Sequence, residues 1–307
     1  MLSSGILVII EVLGILAGAV VLSSYERRAM AFLHSRDGPT VYLLLGLAQP
    51  LVEGAKLAIK STAHSTYGVR GTTSIHVAIL LVLSLTAIGG IGMSITTWYH
   101  ASTCTVLLML ILLGIYSLME IGIAHQQLSR YAVLACARIL SVYVVVEVCW
   151  SLVLVVGILH RAMQCYAYHM YSTSVLVMAG TVCSVLLYVV LSALETSLHP
   201  YDVLESEPEI VSGWYTDHGG VSFMMIYLSD GITCWLLMMQ YIVWYHLCYA
   251  TTPCMSVWCM WSLVVVVLTS RYLSCRYRVQ DVLVLVLSTL VSISAQYGVC
   301  FFFFFFF

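Results

Sequence analysis

Residues 131–159 read YAVLACARILSVYVVVEVCWSLVLVVGIL, an apolar run interrupted by only two formal charges, Arg138 and Glu147. An α-helix needs about 20 mainly apolar residues to cross the hydrocarbon layer of a bilayer, and this run is longer than that. The stretch therefore predicts a membrane-spanning helix. It also directs attention to function, because a charged side chain at the bilayer centre costs about 3 kcal/mol and needs a partner, water or a proton.

Apolar stretches of comparable length lie on both sides of this run, near residues 2–24, 75–97, 104–124, 171–194, 219–245, 254–270 and 282–300. All five prolines fall outside these stretches, as expected of uninterrupted helices. Of the 307 residues, 62% are hydrophobic and 8% are charged, which excludes a water-soluble globular domain. We therefore predict an all-α polytopic membrane protein with about eight transmembrane helices, organised as one membrane domain over residues 1–307.

The basic residues predict the orientation of these helices. Arginine and lysine are concentrated in the connections after spans one, three and seven, and Arg161 is on the opposite side. Because basic connections stay on the cytoplasm-like face, we expect the connections after spans one, three, five and seven on that face. The first span lacks the basic start and cleavage site of a signal peptide, so it is expected to be retained. The connection after span five, residues 195–218, is an acidic loop without Lys or Arg, and beyond Glu195 it carries Asp202, Glu205, Glu207, Glu209 and Asp217.

Region 38–62, between spans one and two, contains a different pattern. Its charged residues Glu53, Lys56 and Lys60 are three and four positions apart, so they share one helical face. The other face is apolar and consists of Leu51, Val52, Ala55 and Ile59. The pattern predicts an amphipathic helix from Pro50 to Lys60 that lies along the membrane surface, with an ordinary polar connector as the alternative.

Several acidic residues are expected in or at the edge of the spans: Glu11, Glu120, Glu147, Glu195 and Asp230. Arg138 and Glu147 share one span, but nine residues correspond to about 13.5 Å of helix rise, which is too far for a direct pair. Each therefore needs a partner on another helix or a wet cavity. We predict a hydrated polar path for protons, with Glu147 inside it. The alternative for Glu11 and Glu120 is that they reach the interface and are satisfied by water.

Other chemistries lack their sequence signatures. Of the ten histidines only His76 lies well within a span, so paired haem ligands are not expected. The eleven cysteines contain no C-x-x-C pair, and no nucleotide-binding or zinc-hydrolase motif is present. Lys56 and Lys60 are the only lysines, which argues against a nucleic-acid surface. We expect no haem, metal, nucleotide or nucleic acid to be bound by this chain.

Specific motifs lie on the connections and in the quoted span. The first stretch contains Glu26-Arg27-Arg28, Arg36-Asp37-Gly38-Pro39, Gly46-Leu47-Ala48-Gln49-Pro50, Lys56-Leu57 and Lys60. It resembles the E-R-[KR], R-x-G-P, G-L-x-Q-P and K-L-x-x-K elements of the NADH dehydrogenase subunit 1 family, the heel subunits of respiratory complex I. Glu53 replaces the usual Asp and Ser61 the usual Glu. The second stretch, residues 129–148, resembles the family's S-x-Y-A-x-x-x-A-x-R segment with a Glu nine residues later, and Val142 and Val146 replace the usual Gln and Tyr.

The third stretch is similar to the family's E-T-x-x-x-P-F-D-x-x-E-x-E-x-E-x-V-S-G loop. It runs from Glu195-Thr196 through Pro200-Tyr201-Asp202 to Val211-Ser212-Gly213, and Leu198 stands where the family usually has Arg. A fourth, shorter match is Arg271 with Arg276-Tyr277-Arg278, similar to R-x-x-x-x-R-[FY]-R. In span six the family's intramembrane Glu aligns with Ser229, which leaves Asp230 one position away.

The resemblance implies a role beside ubiquinone as substrate. It implies that quinone reaches the redox arm along a tunnel bordered by Arg27, Arg36, Asp202, Glu205, Glu207 and Glu209. It also implies an intramembrane proton path formed by Glu147, Glu195 and Asp230, together with Arg138. The redox centres would belong to neighbouring redox-arm subunits, and other membrane-arm subunits would be partners. Together with the lysine-poor composition, it suggests the mitochondrial inner membrane, with the basic side facing the matrix.

Two other functions are compatible with the architecture. The first is the homologous membrane subunit of a membrane-bound hydrogenase or related ferredoxin-linked complex, which shares the architecture but lacks quinone chemistry. The intact G-L-x-Q-P and P-Y-D elements favour a quinone-linked complex over this alternative. The second is a stand-alone secondary transporter or proton channel, which often shows two related halves. No related halves are visible in this sequence.

Overall fold

A computed structural model describes residues 2–40, 46–60, 75, 77–82, 102–127, 129–167, 187–196, 199–202, 211, 213, 215, 218–249, 275–289 and 291–292. Within these ranges the regular structure is helical. The five principal helices are α1 (Leu2–Leu33), α2 (Gln49–Ile59), α3 (Ser102–Gln126), α4 (Arg130–Ala167) and α5 (Val221–Tyr249). Shorter described helical segments cover residues 77–82, 187–195 and 279–289. The predicted all-α class is confirmed for this part of the chain.

Two segments of the described helices are long and apolar enough to cross a membrane, Arg130–Val153 of α4 and Val221–Met238 of α5. Ile111–Gln126 and Val279–Thr289 are shorter apolar helices. All four fall within or beside predicted spans. The predicted span 254–270 and the first part of the span 171–194 lie outside the described residues, so the number eight stays a prediction.

α1 continues well beyond the predicted end of span one, to Leu33. The polar residues that follow the apolar run contain neither Pro nor Gly until Gly38, so nothing interrupts the helix where it leaves the apolar stretch. The helix ends at Leu33, and the chain turns away at Ser35, whose φ of 53° is left-handed. The Arg36 backbone N–H donates to the Ala31 carbonyl at 2.9 Å, which caps the last turn.

α2 confirms that the motif between spans one and two is helical. Pro50 occupies its first turn, where a missing N–H is tolerated, and no residue of α2 is buried. Gly46, just before this helix, has a φ of +84°, and a Cβ there would lie 2.3 Å from the Pro39 carbonyl oxygen. Only glycine fits this close approach without rebuilding the turn. The orientation of α2 along a membrane surface stays a prediction.

α5 is the central helix of the described bundle, since it contacts α1, α2, α3 and α4. α3 and α4 also pack against each other, and α2 packs against α1. The apolar core between α3, α4 and α5 includes Tyr116, Ile123, Ala132 and Ile226, all buried. This packing brings polar side chains from α3, α4 and α5 into one interior, which is where the predicted acids are found.

Candidate functional site

Asp230 on α5 is held by two tyrosine hydroxyl groups. The Tyr116 hydroxyl on α3 donates to Asp230 Oδ1 at 2.8 Å, and the Tyr215 hydroxyl donates to Asp230 Oδ2. Ser229 is completely buried beside it, and its hydroxyl donates to the Ile226 carbonyl at 2.6 Å. The resemblance aligned the family's intramembrane Glu with Ser229, and Asp230 supplies a carboxyl group one position away. The Tyr116 hydroxyl contacts both residues, since it also lies 3.5 Å from Ser229 Oγ.

Glu120 lies one turn after Tyr116 on α3 and has only 5% of its surface exposed. Its Oε2 accepts a hydrogen bond from the Tyr143 hydroxyl of α4 at 3.1 Å. The same hydroxyl lies 3.3 Å from the backbone carbonyl oxygen of Glu195. A phenol carries one proton and therefore donates to one of these oxygens at a time. Tyr143 thus links Glu120 on α3 with the last turn of the 187–195 helix.

The burial of Glu120 corrects one expectation. The alternative in which Glu120 reaches the membrane interface is wrong, because its carboxyl faces Tyr143 inside the bundle. A usable signal was the i, i+4 spacing of Tyr116 and Glu120, which places both on one helical face. Tyr143 gave no signal, since a tyrosine in an apolar run is most often part of the core. The side chain of Glu11 lies outside the described part of the structure.

Glu195 is buried at 9% exposure, near the end of its helix. Its Oε2 has no hydrogen-bond partner among the described residues, which is unusual for a buried carboxyl oxygen. The carboxyl groups interact electrostatically in sequence: Asp230 with Glu120, Glu120 with Glu195, and Glu195 with Glu147. The predicted path acids Asp230, Glu195 and Glu147 are therefore brought together, with Glu120 among them.

Glu147 is exposed on the outer surface of α4 and does not point into the interior of the helical bundle. Its Oε1 accepts a hydrogen bond from the Ser117 hydroxyl at 2.9 Å. Gly114 makes room for this approach, because a Cβ there would lie 3.2 Å from the same oxygen. Arg138 is half-buried on the same helix. The sequence predicted that Glu147 needs a partner on another helix, and Ser117 of α3 is that partner.

The predicted quinone-side residue Arg27 forms a two-pronged ion pair with Glu53. Its Nη1 and Nη2 donate to Glu53 Oε1 and Oε2 at 2.8 and 2.7 Å, and Gln49 Nε2 donates to Oε1 at 3.0 Å. The Arg27 guanidinium holds the pKa of the Glu53 carboxyl below its ordinary value. This contact fastens α2 to the polar end of α1. Arg36 is exposed beyond that end, with Nη2 3.6 Å from Met30 Sδ.

Asp202, at the beginning of the acidic loop, is buried in an ion pair with Arg276. Beside it, the rings of Tyr201 and Tyr277 are stacked 5.5 Å apart at an angle of 8°. The Tyr277 backbone N–H donates to the Pro200 carbonyl at 3.1 Å. Burial raises the pKa of Tyr201. Glu205, Glu207 and Glu209 lie outside the described residues, so their place beside Asp202 stays a prediction.

The described part of the chain contains no cluster of three or more His, Cys, Asp or Glu side chains that could hold a metal ion. The acidic side chains Asp230, Glu120 and Glu147 are instead each hydrogen-bonded by tyrosine or serine hydroxyl groups. Such groups exchange protons readily over short distances. What this site can do chemically is accept, hold and pass on protons within a helical bundle.

Known proteins resemble this chain along most of its length. The sequence profile described as NADH dehydrogenase matches residues 5–302. NADH-ubiquinone oxidoreductase chain 1 of Lampetra fluviatilis is 27% identical over 229 residues, which cover 72% of this chain and 69% of the relative. The Dictyostelium citrinum chain 1 is 25% identical over 232 residues, covering 75% and 71%. A bacterial relative, an NADH-quinone oxidoreductase subunit of Janthinobacterium sp. (strain Marseille), is 25% identical over 250 residues, covering 75% and 68%.

A solved structure shares the fold. A chain of the membrane-bound sulfane sulfur reductase, an archaeal respiratory membrane complex, superposes with a TM-score of 0.70, covering 95% of this chain and 99% of that one. The two are 14% identical in sequence, so this likeness concerns the fold alone. The profile match, by contrast, rests on sequence and extends over nearly the whole chain. The protein belongs to the NADH dehydrogenase family, together with the chain 1 proteins of NADH-ubiquinone oxidoreductase and their bacterial counterpart.

Proposed function

We propose that this chain is the membrane subunit of NADH:ubiquinone oxidoreductase, complex I, that borders the ubiquinone path and begins the intramembrane proton path. It serves an enzyme as a subunit, and the redox centres lie on other subunits of the complex. Relatives that are 25–27% identical to this chain are named for this enzyme. The proposed location is the mitochondrial inner membrane, with the connections after helices one, three, five and seven in the matrix.

One observation carries the proton-path part of the proposal. Acidic residues from three different helical segments meet in the bundle, where tyrosine hydroxyl groups donate to the carboxyl groups of Asp230 and Glu120 and reach the backbone carbonyl of Glu195. Bringing charged groups out of water is costly, so a bundle built only for stability would not assemble them there. Reducing a quinone to quinol consumes two protons. A path of carboxyl groups that leads away from the quinone, with Glu120 and Glu195 buried along it, can respond to that uptake.

The quinone-side residues are fixed by two pairs of side chains. Arg27 and Glu53 fasten the surface helix, and Asp202 and Arg276 fasten the beginning of the acidic loop. The family resemblance assigns one residue of each pair, Arg27 and Asp202, to the border of the quinone tunnel and to the contact with the redox arm. In the proposal, Arg27, Arg36 and Asp202 border the quinone, with Glu205, Glu207 and Glu209 beside them. Redox-arm subunits cover this side, and membrane-arm subunits adjoin the exposed Glu147.

The test uses the intact complex in sealed vesicles with Glu147→Gln or Glu195→Gln. Either change removes a protonatable group, so we expect inhibitor-sensitive, quinone-driven proton translocation to fall by about tenfold or more. Dye-detected acidification and NADH oxidation would be measured on the same vesicles. Ser288→Ala is the control, since its exposed hydroxyl bonds only the Leu285 carbonyl of its own helix. Normal translocation in both glutamine variants would refute the path.

Because this chain shares its fold with a subunit of an archaeal respiratory complex, the hydrogenase-type alternative also needs a test. The same preparation of the native complex provides it. The native complex should reduce ubiquinone with electrons from NADH in a reaction that quinone-site inhibitors block. A complex that instead works with ferredoxin and ignores quinone would support the alternative. Proton movement by the isolated chain in liposomes would support a stand-alone transporter.

A further inference from the structure

We propose that Glu120 is a working member of the proton path, the carboxyl group that connects Asp230 with Glu195. The inference deepens the proposed function and rests on it. Glu120 lies outside every motif through which the chain resembles its family, the nearest of which begins at Ser129. Its role is therefore argued from its surroundings in this structure alone.

The surroundings place Glu120 between the two acids. On one side, Tyr116, one turn earlier on α3, donates to Asp230 Oδ1 at 2.8 Å. On the other side, Tyr143 lies 3.1 Å from Glu120 Oε2 and 3.3 Å from the Glu195 carbonyl oxygen. Both Asp230 and Glu195 interact electrostatically with Glu120. Without Glu120, the described residues offer no carboxyl group between Asp230 and Glu195.

The burial of Glu120 argues for a proton-carrying role rather than a simple anchor. Its carboxyl is enclosed by the apolar and tyrosine side chains of α3 and α4, and no lysine or arginine of the described ranges forms an ion pair with it. A charge without a cationic partner is unfavourable at such a site, so the group can hold a proton and still exchange it. An anchor for the Tyr143 hydroxyl would need only an amide oxygen, as glutamine would provide.

The transfer conserves atoms and charge. A protonated Glu120 receives a proton on its free carboxyl oxygen from the Asp230 side and releases its original proton from the other oxygen. The Glu195 carboxylate takes up the released proton, so the O–H bond broken at Glu120 is matched by one formed at Glu195, while the Tyr143 hydroxyl, which contacts Glu120 Oε2 and the Glu195 backbone carbonyl, holds the two residues side by side. Each O–H bond broken is matched by one formed, and no electron is exchanged. Reorientation of the Glu120 carboxyl then restores the starting state for the next proton.

The experiment compares Glu120→Gln, Glu120→Asp and Tyr143→Phe in the intact complex in sealed vesicles. We expect Glu120→Gln to lower quinone-driven proton translocation by about tenfold or more, although it keeps the size and the hydrogen-bond acceptor. Glu120→Asp keeps a carboxyl group and should restore most of the rate. Tyr143→Phe should give a loss between these two. Ser288→Ala is again the control.

A spectroscopic readout separates a proton carrier from an anchor. In the infrared difference spectrum between oxidised and quinone-reduced complex, native protein and Glu120→Asp should show a protonated carboxyl band that Glu120→Gln lacks. Normal translocation and an unchanged spectrum in Glu120→Gln would overturn the inference. If Glu195→Gln still abolishes translocation in that case, the proposed function stands and only the role of Glu120 is lost. If Glu195→Gln and Glu147→Gln are also normal, the proposed function itself fails.

Discussion

The ion pair between Arg27 and Glu53 shows how one side-chain contact fixes an element. Glu53 stands where the family motif that this stretch resembles has an aspartate, and its side chain meets both terminal nitrogens of Arg27. The two side chains are 36% and 40% exposed, so solvent screens their attraction. The geometry matters more than the energy, because a planar guanidinium against a carboxylate sets the orientation of α2 relative to α1.

This pair makes the attachment of α2 dependent on pH. Arg27 lowers the pKa of Glu53 in the folded protein. The stabilisation that this ion pair gives to the attachment of α2 is therefore complete above the ordinary glutamate pKa of about 4.3. It is lost as the pH falls through the lowered pKa that Glu53 has in the folded protein. For an exposed pair we expect about 1 kcal/mol or less. Glu53→Gln should speed hydrogen exchange of the α2 amides at neutral pH by a few-fold.

Comparing the variant with native complex at each pH cancels the intrinsic pH dependence of exchange. The ratio of their α2 exchange rates should approach one as Glu53 becomes protonated in the native protein. The α4 amides provide an internal reference far from this pair. A ratio that stays constant from neutral to acid pH would contradict a role for the Glu53 charge.

Which acids are buried depends on packing that one sequence does not specify. Glu120 and Glu147 both lie in apolar runs, and the sequence favoured burial for Glu147 and the interface for Glu120. The structure reverses their exposure, because Glu120 faces α4 and Glu147 lies on the outer side of the same helix pair. Periodicity identifies which residues share a face but not which neighbour that face meets. The i, i+4 pair of Tyr116 and Glu120 indicated a shared face and nothing about Tyr143.

Small residues allow the helices of this bundle to approach closely. Gly18 of α1 lies against the indole ring of Trp235 on α5, and Gly231 of α5 lies near Ala19 of α1. In lipid, helices associate through close van der Waals packing rather than through burial from water, so such positions matter more than total apolar area. The crossing of α1 and α5 therefore depends on the absence of a side chain at residue 18.

Gly18→Ala should weaken the crossing of α1 and α5. The new Cβ would lie 2.9 Å from Trp235 Cε2, and a fused aromatic ring in a packed interface cannot shift freely. Overpacking of this kind costs about 1–3 kcal/mol. We expect a lower temperature for half-inactivation of the complex and less assembled complex in membranes. Gly14→Ala is the matched control on the same helix, because a Cβ at residue 14 would meet nothing within 4 Å. Equal effects of the two changes would show that helix propensity, not the contact with Trp235, sets the outcome.

At the scale of the whole molecule, motifs and hydropathy predicted the helices and the family, but they did not predict which residues contact each other. The helical class, the helix after Gly46 and the family followed from apolar runs and motif spacing, which are local in sequence. The pairing of Asp202 with Arg276 did not, although both residues were singled out, because 74 residues separate them. The presence of two motifs in one sequence does not indicate how far apart they lie in the folded protein. The same limit applies to Tyr215 and Tyr116, whose meeting at Asp230 depends on how α3 packs on α5.

The Asp202–Arg276 pair joins the acidic loop to the last basic connection, and its removal should loosen both. Asp202 is 8% exposed, and removing the charge partner of a buried carboxylate costs about 3–5 kcal/mol. We therefore expect Arg276→Ala and Asp202→Ala each to speed irreversible thermal inactivation of the complex by more than about tenfold. Because both variants lose the same contact, the double variant should inactivate no faster than the worse single one. Tyr277→Phe is the control, since it keeps the ring that stacks on Tyr201 and should inactivate at the native rate. Effects that multiply in the double variant would mean that the two side chains stabilise the complex independently, and that the loop is fastened mainly by the tyrosine stack and the backbone contact at Pro200.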